Sequence, residues 1–246
     1  MLGKRPLLIT DVTAMRGEAV CFAGVNAAGE CIRPIFADRR PILRKHLALK
    51  RGGWIRPRAV VAMAWTRSDR WQAPHSEDCF FDWGQMETQF LVSENEWRDW
   101  LAFLTVEDVA AALGVELRDG RRARPGVGRA SLTTVRASEI EELQLRENQH
   151  EAGQHRYRLR FRSEQGQRYD LPVTDLSLRA LAARLWAQLG ERAVVTEQIF
   201  TSILEADEVY LRLGLGRRFR GWHYLQVNGI YTFPDYLQGR CYADFG

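Results

Sequence analysis

Residues 18–36 read EAVCFAGVNAAGECIRPIF, and this stretch decides the fold. Two runs of small, aromatic and β-branched residues flank GVNAAGE, whose glycines and Asn26 favour the backbone conformations of a tight reversal. The pattern is a β-hairpin. With the reversal centred near Asn26, Glu18–Ala23 pairs with Glu30–Phe36, and Cys21 stands opposite Cys31. Similar runs lie on either side, PLLITDV (6–12) and RAVVAMAW (58–65), so the first 65 residues read as antiparallel β-structure. Between hairpin and last strand lies ADRRPILRKHLALKRGGWIRPR (37–58), the most basic stretch of the chain. A short amphipathic helix is predicted there over Ile42–Leu49, ending at Gly52 and Gly53.

Beyond residue 92 the period changes from two to 3.6. Ser93 and Glu96 have capping-box spacing, and NEWRDWLAFL (95–104) sets Trp97, Trp100, Leu101 and Leu104 on one helical face. A second helix follows from Thr105 and Asp108, with Val109, Ala112 and Leu113 as its apolar side and Gly114 as its stop. LRDGRRARPGVGRAS (117–131) is an Arg/Gly/Pro loop and reads as a boundary. The later residues return to strands with SLTTVRA, EELQLRE, HRYRLRFR, QRYDLPV, EVYLRLGL and GWHYLQVNGIYTF. HRYRLRFR alternates, sending Arg156, Arg158, Arg160 and Arg162 to one face and Tyr157, Leu159 and Phe161 to the other. One helix interrupts over Leu176–Leu189, capped by Gly190, and Glu197–Leu204 adds a further turn or two. The expected class is mainly β with α (α+β). Each half has the strand count of a small OB-like antiparallel barrel: 1–115 with an acidic helical insert, 130–246 with one long helix, and 116–129 as the linker.

The formal net charge of +4 hides a segregation: residues 1–72 carry +9, residues 73–115 carry −8 and residues 116–246 carry +3. Of 35 basic residues 32 are arginine, the side chain suited to bidentate phosphate contacts and to stacking on bases. A GC-rich genome would raise the arginine count without any ligand, yet would not segregate the charge. Nucleic acid is therefore the leading partner. No run of 18 apolar residues occurs, and the opening MLGKRPLLITD meets Asp11 before a signal segment develops, so the expectation is a cytoplasmic protein without a membrane partner. Four cysteines without a CxxC pair offer no zinc spacing and read as reduced thiols. No HExxH, GxSxG, kinase or phosphate-loop signature is present, and the GxG pairs in RPGVGR and LGLGRR read as turns. Neither cofactor nor metal is called for, and the expectation is a protein that is not an enzyme.

The strongest constellation is basic with interleaved aromatics. Arg33, Arg39, Arg40, Trp54, Arg56 and Arg58 come from the first half, and Arg217, Arg218, Arg220 and Trp222 from the second. Arginines can hold a backbone while an aromatic face takes an unstacked base, worth about 1–3 kcal/mol per base, which suits single strands. Against this, tryptophans in strands are usually core. PHSEDCFFDW (74–83) gathers His75, Glu77 and Asp78, a polar site for a metal-dependent hydrolase or nuclease, or a set of acids that pairs with arginines and braces the fold. A further alternative is an adaptor that docks a partner protein through Trp97 and Trp100.

LLITDVTAM, VCFAGVNAAGECIRPI, GGWIRPRAVV and PHSEDCFFDW at the front, with LRLGLGRRF and HYLQVNGIYTFPDYLQGRCYADF at the back, resemble the prokaryotic dual OB-containing domain proteins. The resemblance covers roughly the first 85 and last 40 residues. It implies two OB-like barrels and a nucleic-acid role, with no activity carried over; the favoured function is a non-enzymatic nucleic-acid-binding module of a DNA-repair or defence assembly. Arg33 and Pro34, Arg56 and Pro57, His75–Asp78 and Gln226–Tyr231 are the matching positions, without an assigned duty.

Overall fold

The computed structural model describes residues 3–69, 71–147 and 155–245. The first sheet contains β1 (Arg5–Ala14), β2 (Ala19–Val25), β3 (Cys31–Ile35), β4 (Ile42–Leu43), β5 (Ala59–Met63), β6 (Trp65–Arg67), β7 (Asp78–Phe81) and β8 (Glu87–Leu91). Their order is β6-β7-β3-β2-β1-β5-β8, with β4 added beside β2. All pairs are antiparallel except β3 with β7. Only Ala64 separates β6, at one end of this path, from β5, the strand next to its other end, so the sheet curls.

Two helices follow, α1 (Glu94–Leu104) and α2 (Val109–Leu113). The predicted capping box closes the start of α1: Ser93 accepts from the Glu96 amide, and the Glu96 carboxylate accepts from the Ser93 amide at 2.8 Å. At α2 the cap is Asp108, which accepts from the Ala111 amide at 3.0 Å, and Gly114 takes the left-handed conformation at the end. The second sheet holds β9 (Arg122–Ala123), β10 (Leu132–Glu147), β11 (His155–Ser163), β12 (Arg168–Val173), β13 (Glu208–Leu215) and β14 (His223–Phe233), with α3 (Leu176–Leu189) and α4 (Arg192–Leu204) between β12 and β13. The order is β12-β11-β10-β13-β14-β9, and β12 also meets β14 in parallel at Val173 and Val227. The path returns on itself.

Several local expectations are revised. Cys21 does not face Cys31: β2 and β3 pair Val25 with Cys31 and Gly24 with Ile32, because the Asn26 side chain accepts from the Ala28 and Glu30 amides and closes a loop over 26–30. The four cysteines are free. Residues 42–49 form no α-helix. Ile42 and Leu43 pair with β2, leaving a single 3-10 turn over Arg44–Leu47. SLTTVRA and EELQLRE are one long strand, β10, bulged near Ser138 and Glu141 where it bends. The last helical stretch begins at Arg192, earlier than expected. The Arg/Gly/Pro stretch is packed. Arg122 and Ala123 pair with β14, and the Arg129 guanidinium donates to the carbonyls of Ala111 and Ala112.

Each sheet encloses its own apolar core. Leu7, Ile9, Phe22, Val61 and Met63 belong to the first; Leu159, Phe161, Leu171, Leu211 and Val227, with Val195, Ile199 and Ile203 of α4, belong to the second. A third cluster lies between them, where Leu8, Val25 and Val60 meet Tyr210, Tyr231 and Phe233 across Trp97 and Leu101 of α1. Trp97 is 2% exposed and edge-on to Tyr231 at 5.0 Å. It is a core residue, so the reading of Trp97 as a docking surface is corrected; Trp100 is half-buried against Phe103. Polar contacts cross the same interface. Buried Arg212 meets buried Asp11 at 3.2 Å and donates to Thr134 Oγ1 at 2.9 Å, and Tyr231 donates to the Thr10 carbonyl. The Ala14 amide reaches the Thr174 carbonyl at 2.8 Å. Burial raises the Tyr231 hydroxyl well above the usual range, which keeps it a donor there.

Candidate functional site

The two sheets leave a cleft of about 900 Å³ between them, lined from one side by residues 11–78 and from the other by residues 125–228. That is near the upper end of the volumes found for ligand sites. Its position follows from the parallel pairing of β3 with β7, which sets Arg33 directly beside Asp78. Arg33 is buried and donates through Nε to Asp78 Oδ1 at 2.7 Å and through Nη1 to Ser131 Oγ at 3.1 Å. Arg217, entering from the loop after β13, donates to both Asp78 oxygens at 3.0 and 2.8 Å. One carboxylate thus holds a guanidinium from each half. Burial favours the neutral form of Arg33, but the negative charges around it, Asp78 foremost, together with its hydrogen bond to Asp78 outweigh that and hold its pKa above the ordinary value.

Glu77 acts differently. It accepts from the amides of Ser131 and Leu132 and from the Ser131 hydroxyl, so it fastens the start of β10. His75 is 3% exposed and stands edge-on to His223 at 5.0 Å. Among the described residues neither ring nitrogen of His75 has a hydrogen-bond partner. Burial, followed by the charges of Arg33 and Arg217 and by His223, lowers its pKa to about 2, so the ring is neutral. His223 has one ring nitrogen 2.8 Å from the Gly216 carbonyl, which fixes that nitrogen as the donor.

Arg39, Arg40 and Arg218 line the outer part of the cleft and are exposed. Arg40 lies over the Phe36 ring at 4.5 Å, and Arg39 takes a left-handed backbone, φ 60°. The inner walls are apolar, with Phe22, Ile35, Leu132 and Leu215, beside the amides of Gln226 and Asn228.

Five of the ten residues expected on the basic surface therefore share one cleft: Arg33, Arg39, Arg40, Arg217 and Arg218. The other five lie elsewhere. Arg56 donates to the Gly239 carbonyl at 2.5 Å and Arg58 to the Val92 carbonyl at 3.0 Å, both beside a second, much smaller cavity. Trp54 is 43% exposed against Tyr242, outside the cleft. Arg220 lies over Phe219, and Trp222 is half-buried under Arg118 and Arg122 at 5.3 Å each. Among the described residues no group of three or more His, Cys, Asp or Glu side chains is placed to hold a metal ion. His223, Gln226 and Asn228 belong to the site although composition gave no sign of them. The resemblance had marked Gln226 and Asn228 by position alone.

Curled, mainly antiparallel sheets on either side of an arginine-rich cleft fit an OB-containing protein. The family model for the dual OB-containing domain matches residues 7–230, and the chain belongs to that family. The match runs through the middle segment as well as the front and ends at residue 230. No curated protein matches the chain.

Proposed function

We propose that this protein binds single-stranded nucleic acid in the cleft between its two sheets, each read as an OB-type barrel, and serves as a non-catalytic module of a larger DNA-repair or defence assembly. The observation that carries this reading is the meeting of Arg39 and Arg40 with Arg217 and Arg218, from opposite ends of the sequence, on one cleft. OB domains use such grooves to track a phosphate backbone and stack bases, with little sequence preference. The non-catalytic part is supported by the use of the two carboxylates: Asp78 is occupied by Arg33 and Arg217, and Glu77 by backbone amides.

The test is titration of labelled single-stranded and duplex DNA and RNA at two salt concentrations. Single strands should bind more tightly, and affinity should fall steeply as salt rises. Absence of binding at low salt, or binding indifferent to salt, would overturn the proposal. Metal-dependent strand cleavage would overturn its non-catalytic part.

A further inference from the structure

We infer that the floor of the cleft takes one unstacked nucleobase, whose hydrogen-bonding edge pairs with a ring nitrogen of His75, while the exposed arginines of the rim hold the flanking phosphates. This rests on the nucleic-acid reading above and adds what the deepest part of the site recognises.

Three observations converge on the floor. His75 is almost wholly buried, lines the cleft, and keeps both ring nitrogens without a partner among the described residues. Buried polar atoms are nearly always paired, and an exception at a cleft surface marks a place where a ligand completes the pairing. Hydrogen bonding and shape select the ligand. Arg33 and Arg217 share the single carboxylate of Asp78, so their donors are partly committed while one positive charge is left uncompensated. Burial, followed by those same two charges and His223, keeps the ring neutral. A neutral imidazole has one donor and one acceptor. These point to different sides of the ring, so a base edge pairs with one of them, and a base can serve either, whereas a phosphate only accepts. Shape agrees: Phe22, Ile35, Leu132 and Leu215 offer apolar walls to a flat heterocycle, and the Gln226 and Asn228 amides stand beside them. Further out, Arg40 and Arg218 are exposed and placed for the charged backbone.

The experiment compares a short single-stranded oligonucleotide with an abasic oligomer of the same length, for the wild-type protein and for His75→Phe. The wild type should bind the abasic oligomer about tenfold more weakly, the scale of a single base held in a site. His75→Phe should bind the full oligonucleotide about tenfold more weakly and the abasic oligomer unchanged. Its melting temperature should equal or exceed that of the wild type, since two buried unpaired nitrogens are removed. A lower melting temperature with an unaltered ratio of the two affinities would make His75 a structural residue and end the inference. Equal binding of both oligomers by the wild type would also end it while leaving the nucleic-acid reading intact; binding of neither would end both. Competition by adenosine or cytidine monophosphate would identify a free nucleotide as a source of the base, and failure to compete would assign it to a strand.

Discussion

The outward face of β11 and the cleft between the sheets are both rich in arginine, and they differ in what surrounds the guanidiniums. On the face, Arg158 meets Asp170 at 2.9 Å, Arg160 meets Glu142 at 2.7 Å, Arg162 meets Glu141 at 3.2 Å, and Arg168 of β12 meets Glu141 at 2.6 Å. This is a surface lattice of opposite charges, each pair worth about 0–1 kcal/mol. The cleft is lined by five arginines and two aspartates, and one of those, Asp11, is already bound by Arg212. Exposed Arg40 meets Asp38 at 3.4 Å, but Arg33 and Arg217 share the single carboxylate of Asp78, so positive charge is left over there. Arginine density alone does not locate a binding surface; the carboxylates within reach of each guanidinium do.

The sharpest way to break that comparison is to remove one carboxylate from each region. Asp78→Ala leaves Arg33 buried without its counter-ion and should cost about 3–5 kcal/mol of stability. Glu142→Ala on the exposed face should change stability by no more than about 0.5 kcal/mol. Urea unfolding of the two variants measures both. Similar losses would mean that the face is as tightly built as the cleft.

The next effect depends on acid and isolates the cleft. The folded protein holds His75 neutral down to about pH 2, whereas the ring in the unfolded chain protonates near its ordinary 6.5. Below pH 6.5 the unfolded state therefore binds a proton that the native state refuses, and stability falls with pH by up to about 1.4 kcal/mol per unit, or about 3 kcal/mol by pH 4. Asp175 works in the opposite direction. Burial raises its carboxyl to about 6 despite three backbone donors, so the native state takes up its proton first and gains stability as pH falls from about 6 toward the ordinary 3.8. Both variants of the comparison share Asp175, so it cancels in the difference between wild type and His75→Phe. The variant should lose less stability between pH 6.5 and pH 4. Parallel curves would show that the ring protonates freely in the folded protein.

The same contrast explains what the sequence could show. The Ser93–Glu96 box, the left-handed stop at Gly190 and the alternation of Tyr157, Leu159 and Phe161 are local patterns, and each appears where the spacing placed it. The short strands β6, β7 and β8 carry no strong alternation, and tertiary pairing makes them. Pairing also fixed Ile42 and Leu43 as strand and moved Cys31 opposite Val25. In the cleft, the types of Arg33, Arg217, His75 and Asp78 pointed to polar chemistry, but their meeting depends on the parallel register of β3 with β7 and on a loop far along the chain. Arg56 and Arg58 have the same composition as Arg39 and Arg40, yet they end on backbone carbonyls. No window of sequence distinguishes them, because the distinction is made by residues more than a hundred positions away in the case of Arg56.

The smallest effect is also the most direct reading of the two surfaces. Replacing Arg40 and Arg218 with Gln removes two rim charges that lie outside the Asp78 pair, Arg40 having one highly exposed carboxylate, Asp38, at 3.4 Å, so folding should be nearly unaffected while single-strand affinity falls about three- to tenfold at low salt. The slope of log affinity against log salt should shrink by about 0.7 for each phosphate that the protein no longer neutralises. Replacing Arg160 and Arg162 with Gln removes the same formal charge from the lattice, and there the slope should hold, because those guanidiniums are already neutralised by Glu139, Glu141 and Glu142. A reduced slope in the second variant would mean that a strand displaces those carboxylates, and the path of the nucleic acid would then run across the outer face of the second sheet rather than between the two.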